Sequence, residues 1–415
     1  MSEKLETPPA RSVQPMSDEA WHGCNPLSAG FRDDPYPSLH RLREADPVNL
    51  TPLGTWRITR HDDIDALLRS GPVSQTNAAG VNPMFDPGDT SAGSFVRFML
   101  NEDPPLHTRL RRLVFKAFTR RAVETMRLQV HATVERAMDT ALERGRIDVI
   151  DDLALPVPAS MICKVLGVPD DDWPMFTAWT QARTNAFFAS MLPPEPVQAS
   201  REAGEALAAY FEDLIAERRR NPGDDLLSEL IAVEEDGDRL SADEMIPQVV
   251  GLLVAGFETT IGLIGNGVRA LIDHPDQLEM LRARPGLIEN TVEECLRYDT
   301  PVLMIWRVLT EDCTVAGTHL PADSVIWPVL AAGNRDPSVN PDPDRFDIMR
   351  ENIRYLSFGG GSHYCLGHQL AKMEAQIAIG ELVRRAPALS IDLDGVSWSE
   401  SFFRVYGHLP VVFQD

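Results

Sequence analysis

The chain has 415 residues, of which 43% are hydrophobic and 24% are charged. Both fractions are close to globular averages, so the chain can bury a large core and is neither disordered nor fibrous. The charge is less ordinary, because 62 acidic and 39 basic side chains give a formal net charge of −23. Such a charge disfavours binding to nucleic acid and to anionic membrane surfaces.

The cysteines and the N-terminus indicate a cytoplasmic protein. The 5 cysteines are odd in number and widely scattered, unlike the framework of a small secreted protein. The N-terminal sequence lacks the apolar run of a signal peptide, so we expect no export. We predict that residues 1–20 form a flexible tail and that residues 21–415 form a single domain.

In chain order, a short strand is predicted at 55–60 and a long loop at 70–106. Helical periodicity then dominates, with candidate helices at 107–143, 201–220, 241–272 and 286–299. Prolines predict a second loop at 190–200. Such loops are either lids over binding sites or ordinary surface excursions, and the sequence favours neither. Strands return at 313–330 and 409–413, which predicts a mainly α fold with small peripheral sheets.

Residues 245–268 contain no Lys or Arg and raise the question of a membrane span. Glu258 argues against a span, because a charged side chain at its centre costs about 2.5–3.5 kcal/mol on insertion. We predict instead a helix through the centre of a large soluble core, with Glu258, Thr259 and Thr260 in its middle.

A glycine-rich loop presents one cysteine just before a helical pattern. The run Phe358-Gly-Gly-Gly-Ser-His-Tyr-Cys365-Leu-Gly367 permits left-handed backbone and close approach to a flat group. The following helix N-terminus is expected to lower the pKa of the Cys365 thiol, and a soft anionic sulfur suits iron. A zinc site with His363, Cys365 and His368 is the alternative, but structural zinc needs a fourth ligand. A single thiolate favours a cofactor that brings its own ligands, such as haem.

The pattern F-x-x-G-x-x-x-C-x-G, from Phe358 to Gly367, resembles the haem-binding signature of the cytochrome P-450 family, the haem-thiolate monooxygenases. The resemblance extends over most of the chain, with the motifs in the family's order. It implies the cytochrome P-450 fold, a helical core around haem b with small peripheral β-sheets. It also implies that Cys365 is the axial ligand of the haem iron and that Phe358 and Gly359 belong to the haem-binding loop.

The central helix adds a second motif. The run from Ala255 to Thr260 is similar to the family's oxygen-activation motif, which implies that Glu258 and Thr259 are catalytic and relay protons. An acid inside an apolar helix is unfavourable unless it has a function. The alternative is a polar kink in which threonine hydroxyls bond the preceding turn. Five glycines favour close approach by a ligand, namely Gly251, Gly256, Gly262, Gly265 and Gly267.

Further motifs are weaker when taken alone. Glu294 and Arg297 resemble the family's E-x-x-R pair, and Arg345 lies in the segment that the family pairs with it, so we expect a structural network of these three. Taken alone, such a pair is a common solvent contact worth about 0.2–0.5 kcal/mol.

The helix predicted from residue 107 has an apolar arc, and Arg111 lies beside it. A guanidinium near a core needs an anionic partner. The resemblance implies that His107, Arg111, Arg307 and His363 bind the haem propionates. The alternative for each is an ordinary surface charge.

The opposite face of this helix carries Arg109, Arg112, Lys116 and Arg120, a basic patch on an acidic protein. Such a patch steers acidic partners. The family implies docking of an acidic ferredoxin, which a ferredoxin reductase supplies with electrons from NAD(P)H. The alternative is a solvated helix whose charges are balanced by acids elsewhere in the fold.

The resemblance places six residues at the substrate pocket, all apolar, which predicts a hydrophobic substrate: Val254, Ala255, Leu303, Ile305, Phe402 and Phe403. The expected function is a monooxygenase that hydroxylates or epoxidises a hydrophobic small molecule with O2 and two electrons. The alternatives are a haem-thiolate peroxygenase and a non-enzymatic haem sensor or carrier. We expect a monomer that binds neither nucleic acid nor membrane.

Overall fold

Helices make up most of the structure, as the sequence predicts. The computed structural model describes residues 19–26, 28–84, 97–117, 120–185, 194–233, 238–386 and 388–413. In these ranges the α-helices are α1 (Ala29–Asp33), α2 (Tyr36–Ala45), α3 (His61–Ser70), α4 (Leu106–Ala117), α5 (Arg120–Arg144), α6 (Pro156–Leu166), α7 (Trp173–Thr184), α8 (Pro194–Arg220), α9 (Leu226–Ala232), α10 (Ala242–Asp273), α11 (Pro275–Ala283), α12 (Ile288–Tyr298), α13 (Leu330–Asn334) and α14 (His368–Arg385). A π-helix spans Val149–Ala154, and short 3-10 turns lie at Met99–Asn101, Asp170–Asp172, Pro285–Leu287, Gly361–His363 and Leu393–Gly395.

The strands are short and lie in small separate sheets, which confirms the predicted fold class. They are β1 (Val48–Leu50), β2 (Trp56–Ile58), β3 (Val73–Ser74), β4 (Arg146–Asp148), β5 (Arg307–Leu309), β6 (Cys313–Val315), β7 (Thr318–Leu320), β8 (Val325–Pro328), β9 (Leu389–Ile391), β10 (Ser397–Trp398), β11 (Tyr406–His408) and β12 (Pro410–Phe413). Five of them form a sheet in the order β1-β2-β8-β5-β3, in which β2 and β8 are parallel. The others form a three-stranded sheet, β4-β12-β9, and the pairs β6-β7 and β10-β11.

Helix α10 runs through the centre of the main apolar cluster and packs against α6, α7, α8, α12 and α14. Its start is fixed by a capping box, in which the Ser241 hydroxyl accepts from the Glu244 N–H and the Glu244 carboxylate accepts from the Ser241 N–H. The helix is long and apolar enough to cross a membrane, but 78% of its apolar window is buried inside the protein. This burial agrees with the prediction of a core helix.

Several boundaries differ from those predicted. The helix predicted at 107–143 is two helices, α4 and α5. The loop predicted at 190–200 is wrong from Pro194 onward, because α8 begins there, and proline is compatible with the first turn of a helix. The predictions for residues 1–18, 85–96 and 190–193 lie outside the described residues.

Candidate active site

Two glycines of the cysteine loop adopt the left-handed backbone conformation that the sequence predicts. Gly359 and Gly361 have φ angles of +69° and +65°, a left-handed conformation that side chains disfavour. A Cβ on Gly361 would lie 2.0 Å from the backbone oxygen of Leu68, so this glycine also lets the loop pack against the end of α3. The Cys365 N–H donates to the Phe358 carbonyl at 2.9 Å and closes the loop. The sulfur is therefore carried by a fixed turn just before α14.

The state of the Cys365 thiol differs from the sequence-based expectation. Burial raises its pKa, and the Gly367 N–H and the Arg111 guanidinium lower it only in part. The prediction that the helix N-terminus lowers the pKa is therefore wrong for the chain alone, because desolvation of the sulfur outweighs the dipole. A thiol in this position becomes a thiolate when it binds a metal ion, which displaces the proton directly.

Two histidines from separate segments meet beside this loop. The ring centroids of His107, at the start of α4, and His363 are 4.0 Å apart. Burial and the nearby Arg111 lower the pKa of His107 to about 4, with Arg307 contributing less. Burial lowers the pKa of His363 to about 2, together with Arg307, His107 and Arg111. The Nδ1 atoms of both rings are buried and have no hydrogen-bond partner in the described chain.

Two arginines complete this group of four basic side chains. Arg307 is 7% exposed, and burial lowers its pKa to about 10. Its guanidinium donates to the Trp306 carbonyl at 2.6 Å, and that of Arg111 donates to the Tyr364 carbonyl at 2.6 Å. Neither arginine forms an ion pair with a carboxylate among the described residues. His107 and Arg307 are buried, and Arg111 and His363 are partly buried. A basic cluster in this setting is unfavourable without an anion, so the site suits an anionic group.

One face of α10 borders an open space inside the core. Leu252, Ala255, Gly256 and Thr259 are partly exposed, whereas their neighbours Gly251, Leu253, Val254 and Phe257 are buried. The spacing i, i+3, i+4, i+7 places the four exposed residues on one side of the helix. This cavity face is apolar except for the Thr259 hydroxyl.

Glu258 and Thr259 lie on different sides of α10. The Thr259 hydroxyl donates to the Ala255 carbonyl at 2.9 Å, and that of Thr260 donates to the Gly256 carbonyl at 3.1 Å. Glu258 is 5% exposed and forms hydrogen bonds with Ser401 and Thr184. Burial raises the pKa of the Glu258 carboxyl, and these hydrogen bonds offset only part of the rise. Its Oε2 atom has no partner in the described chain.

Comparison with known proteins decides the family. The Cytochrome P450 family model matches residues 73–284 and 286–387. The chain is 39% identical to cytochrome P450 monooxygenase PikC of Streptomyces venezuelae over 88% of this chain and 87% of that protein. It is 38% identical to 6-deoxyerythronolide B hydroxylase of Saccharopolyspora erythraea over 92% and 97%, respectively. The structure of P450BioI in complex with an acyl carrier protein matches with a TM-score of 0.85 and 33% identity, over 92% of this chain and 99% of that one.

The chain belongs to the cytochrome P450 family. Its relatives are named monooxygenases and hydroxylases, so it is a P450 monooxygenase. The family implies haem, and the residues present fit that group. The basic cluster around His107 and Arg307 matches the charge of the two haem propionates, Cys365 supplies a soft ligand, and the cavity face of α10 offers an apolar wall.

The helix glycines of this P450 serve packing more than ligand approach. An added Cβ would meet Phe98 at Gly251, Pro301 at Gly262, Ile150 at Gly265 and Ile379 at Gly267, all within 3 Å. Only Gly256 of the five would meet nothing within 4 Å. The prediction that five glycines admit a ligand is therefore wrong for four of them, because neighbouring side chains already occupy the space.

The structure brings only some of the predicted substrate-pocket residues together. Ala255, Phe402 and Phe403 are partly exposed and pack on the main core, which suits a pocket wall. Ile305 packs instead against the smaller cluster under the five-stranded sheet. Val254 is 1% exposed and Leu303 7% exposed. Val254 lies about 150° around α10 from the cavity face at 100° per residue, so the structure does not place it there.

The predicted structural network exists, with one member corrected. Glu294 and Arg297 are fully buried and form a bidentate pair with distances of 2.7 and 2.8 Å. Arg297 also donates to the carbonyls of Pro343 and Arg345. The Arg345 side chain is 65% exposed and contacts Asp347, so Arg345 takes part in the network through its backbone carbonyl and not through its charge. The third charged member is Arg350, whose Nε donates to Glu294 at 3.2 Å.

The predicted docking patch is smaller than expected. Arg109 is wrong as a member, because it pairs with Asp238 at 2.6 Å and with Glu244 at 2.5 Å and so joins α4 to the start of α10. Arg112 and Lys116 are exposed on α4. The side chain of Arg120 lies outside the described residues.

Two features of the site were not found from the sequence. Gln248 is fully buried, accepts from the Met99 N–H at 3.0 Å and donates to the Arg97 carbonyl at 3.2 Å. This pair of bonds fixes the segment before α4 to α10, with the Phe98 ring over Gly251. The available signal was a glutamine and a glycine one turn apart, Gln248 and Gly251, within the otherwise apolar stretch 245–257. The other feature is Arg350, which follows the expected Arg345 in the same loop.

Proposed function

We propose that this P450 inserts oxygen from O2 into a hydrophobic small molecule, in the cytoplasm, with two electrons from an acidic ferredoxin. A ferredoxin reductase would supply that ferredoxin from NAD(P)H. The observation that carries the proposal is the largely buried basic cluster beside the Cys365 loop, which forms no ion pair with a carboxylate among the described residues. An anionic cofactor with a single open ligand position satisfies both features.

Bound haem, ligated by Cys365, supplies the iron at which O2 is reduced and the substrate oxidised. His107, Arg111, Arg307 and His363 would bind its propionates. The two arginines bring positive charge, and the two histidines bring N–H donors. Because these residues come from separate segments, they also fix α4, β5 and the cysteine loop around the cofactor.

Glu258 and Thr259 have different roles in the proposed proton transfer. The Thr259 hydroxyl donates its hydrogen to the Ala255 carbonyl, so its oxygen is held on the cavity face as a hydrogen-bond acceptor. Glu258 has a raised pKa and therefore holds its proton at higher pH than an ordinary carboxyl, which suits a general acid. We infer that protons pass from Glu258 to the cavity through the neighbourhood of Thr259.

The substrate is a hydrophobic molecule with a large apolar body, free or attached to a carrier protein. One relative is named as a hydroxylase of 6-deoxyerythronolide B. The P450BioI structure holds hexadec-9Z-enoic acid ligated to an acyl carrier protein. In this chain, Leu252, Ala255, Phe402 and Phe403 offer apolar contacts and no charged anchor.

The ferredoxin would dock against the exposed side of α4. Arg112 and Lys116 provide positive charge there, and Phe115 between them is 63% exposed. Basic side chains steer an acidic partner, and an exposed aromatic side chain is a frequent anchor of a protein interface.

The first experiment is the absorption spectrum of the reduced protein with carbon monoxide, for wild type and Cys365→Ser. A strongly red-shifted Soret band that the substitution removes supports thiolate-ligated haem, and an ordinary haem spectrum contradicts it. Turnover is then measured with ferredoxin, reductase and NADPH, and separately with hydrogen peroxide. Product from peroxide alone would favour a peroxygenase.

A further inference from the structure

A second cavity lies behind α10, on the side away from the cavity face. Its volume is about 420 Å³, which is within the usual range for small-molecule sites. It is bounded by the end of α7, the middle of α10 and the strands β10 and β11. Glu258 is among its described walls, whereas Thr259, Cys365 and the four basic side chains are not, so the cavity meets the site described above only at Glu258.

The floor of this cavity carries a buried carboxyl with an unused oxygen. Glu258 lines the cavity, is 5% exposed, and has no partner for Oε2 among the described residues. The nearby side chains of Ser401 and Thr184 favour the charged form of this carboxyl. A buried acceptor without a donor is unfavourable, and a ligand that supplies N–H donors relieves it.

The described walls of the cavity carry negative charge. Asp151 and Glu400 line it beside Glu258, and no Lys or Arg is among the described walls. The basic group present is His408, and its Nδ1 lies 3.2 Å from a carboxylate oxygen of each of Asp148 and Asp151. On a chain of net charge −23 this lining attracts cations and repels anions.

The remaining walls are apolar and aromatic. Phe257, Ile261 and Val405 line the cavity beside Glu258. Trp398 and Tyr406, which stack with their centroids 4.0 Å apart, form another wall. The cavity thus combines a carboxyl at its floor with apolar surface around it, which fits a molecule with a charged head and an apolar body.

We propose that this cavity binds an organic cation, whose charged N–H group pairs with Glu258 and whose short apolar body packs against Phe257, Ile261 and Val405. A guanidinium or ammonium head satisfies the free oxygen of Glu258 in a charge-assisted pair. If the proposed function is correct, an occupant also removes Glu258 from proton transfer and inhibits turnover. That consequence rests on the proposed function, whereas binding does not.

The test uses n-butylguanidinium as the probe and n-butylurea as its neutral isostere. Binding to the haem-loaded protein is measured by titration calorimetry while the Soret band is recorded, because a probe in the substrate pocket would move that band. We expect n-butylguanidinium to bind without a Soret change and the urea at least 10-fold more weakly. Glu258→Gln should weaken the cation at least 10-fold. Glu374→Gln, at a buried carboxyl that is not among the described walls of this cavity, should leave it unchanged.

A cavity-filling variant, Ile261→Trp, keeps Glu258 and tests the location independently. It should abolish binding of the probe, and the proposal then holds even if Glu258→Gln folds poorly. Equal binding of the urea, undiminished binding in either cavity variant, or binding that shifts the Soret band would each overturn the proposal. Because binding is read without turnover, a failure here is distinct from a failure of the monooxygenase activity.

Discussion

The buried network around Glu294 allows a matched test of two arginines in one loop. Arg350→Ala and Arg345→Ala remove the same side chain from the same loop, but only Arg350 contacts Glu294. We expect Arg350→Ala to destabilise the protein strongly and Arg345→Ala to have little effect.

The expected magnitudes follow from the contacts. The Arg350 side chain is 10% exposed and donates to Glu294 at 3.2 Å and to the carbonyls of Pro341, Asp342 and Arg345 at 2.6, 3.0 and 2.8 Å. Removal of one partner from a buried pair typically costs about 3–5 kcal/mol. Glu294 keeps Arg297 and the N–H of Asp347, so we expect the lower end, about 3 kcal/mol.

Arg345 lies at the other extreme. Its side chain is 65% exposed and 3.4 Å from Asp347, which makes it a surface pair worth about 0–1 kcal/mol. The two variants should therefore differ by about 2–3 kcal/mol, or roughly 30- to 150-fold in the unfolding equilibrium constant.

The assay is urea unfolding followed by far-ultraviolet circular dichroism, with the haem-free protein measured beside the haem-loaded one. The difference should appear in both forms, since neither arginine belongs to the basic cluster that would bind the propionates. Equal losses in the two variants, or a loss for Arg350→Ala below about 0.5 kcal/mol, would refute the assignment of Arg350 to the network.

Three further predictions concern the site itself. Gly361→Ala should speed haem loss to a scavenger protein, because the added Cβ would lie 2.0 Å from a carbonyl of α3 at a φ of +65°, whereas Gly367→Ala, which meets nothing within 4 Å, should not. Gly251→Ala should change substrate dissociation constants in spin-state titrations, because its Cβ would lie 2.2 Å from the Phe98 ring, which must move. In haem-free protein, His107 of the unfolded chain binds a proton with the ordinary histidine pKa of about 6.5, whereas in the folded chain its pKa is about 4. Unfolding free energy should therefore fall as pH drops below about 6.5, by about 2 kcal/mol at about pH 5, and His107→Phe should reduce that fall in urea titrations.

The parts of the site that the sequence predicted correctly are encoded over short stretches. The left-handed turns at Gly359 and Gly361, the closed loop at Cys365 and the contact between Glu294 and Arg297 each depend on residues within about one or two helical turns. Helix α10 was equally predictable, since its length and composition leave no other place for it than the core.

The parts that were wrong depend on partners far away in the chain. Arg109 has the periodicity of a solvent-facing residue, but its partners are 129 and 135 residues later. The Cys365 thiol follows the helix-dipole rule only if it remains hydrated, and burial depends on the whole fold. In the same way, Gly251 suggests open space for a ligand when only the sequence is considered. In the folded protein the Phe98 ring packs against it and fills that space.

The acid and the hydroxyl of α10 show why adjacency in sequence differs from adjacency in space. Consecutive helical residues point about 100° apart, so Glu258 and Thr259 necessarily lie on different faces. The fold gives each face its own surroundings: Thr259 borders the interior space, and Glu258 borders the acidic cavity between α7 and the C-terminal strands. A proton that passes between them has to round the helix, by rotation of the Glu258 side chain or through water. If protons pass from Glu258 to Thr259 as proposed, a molecule bound in the cavity behind α10 would control their supply to the cavity face without touching the substrate.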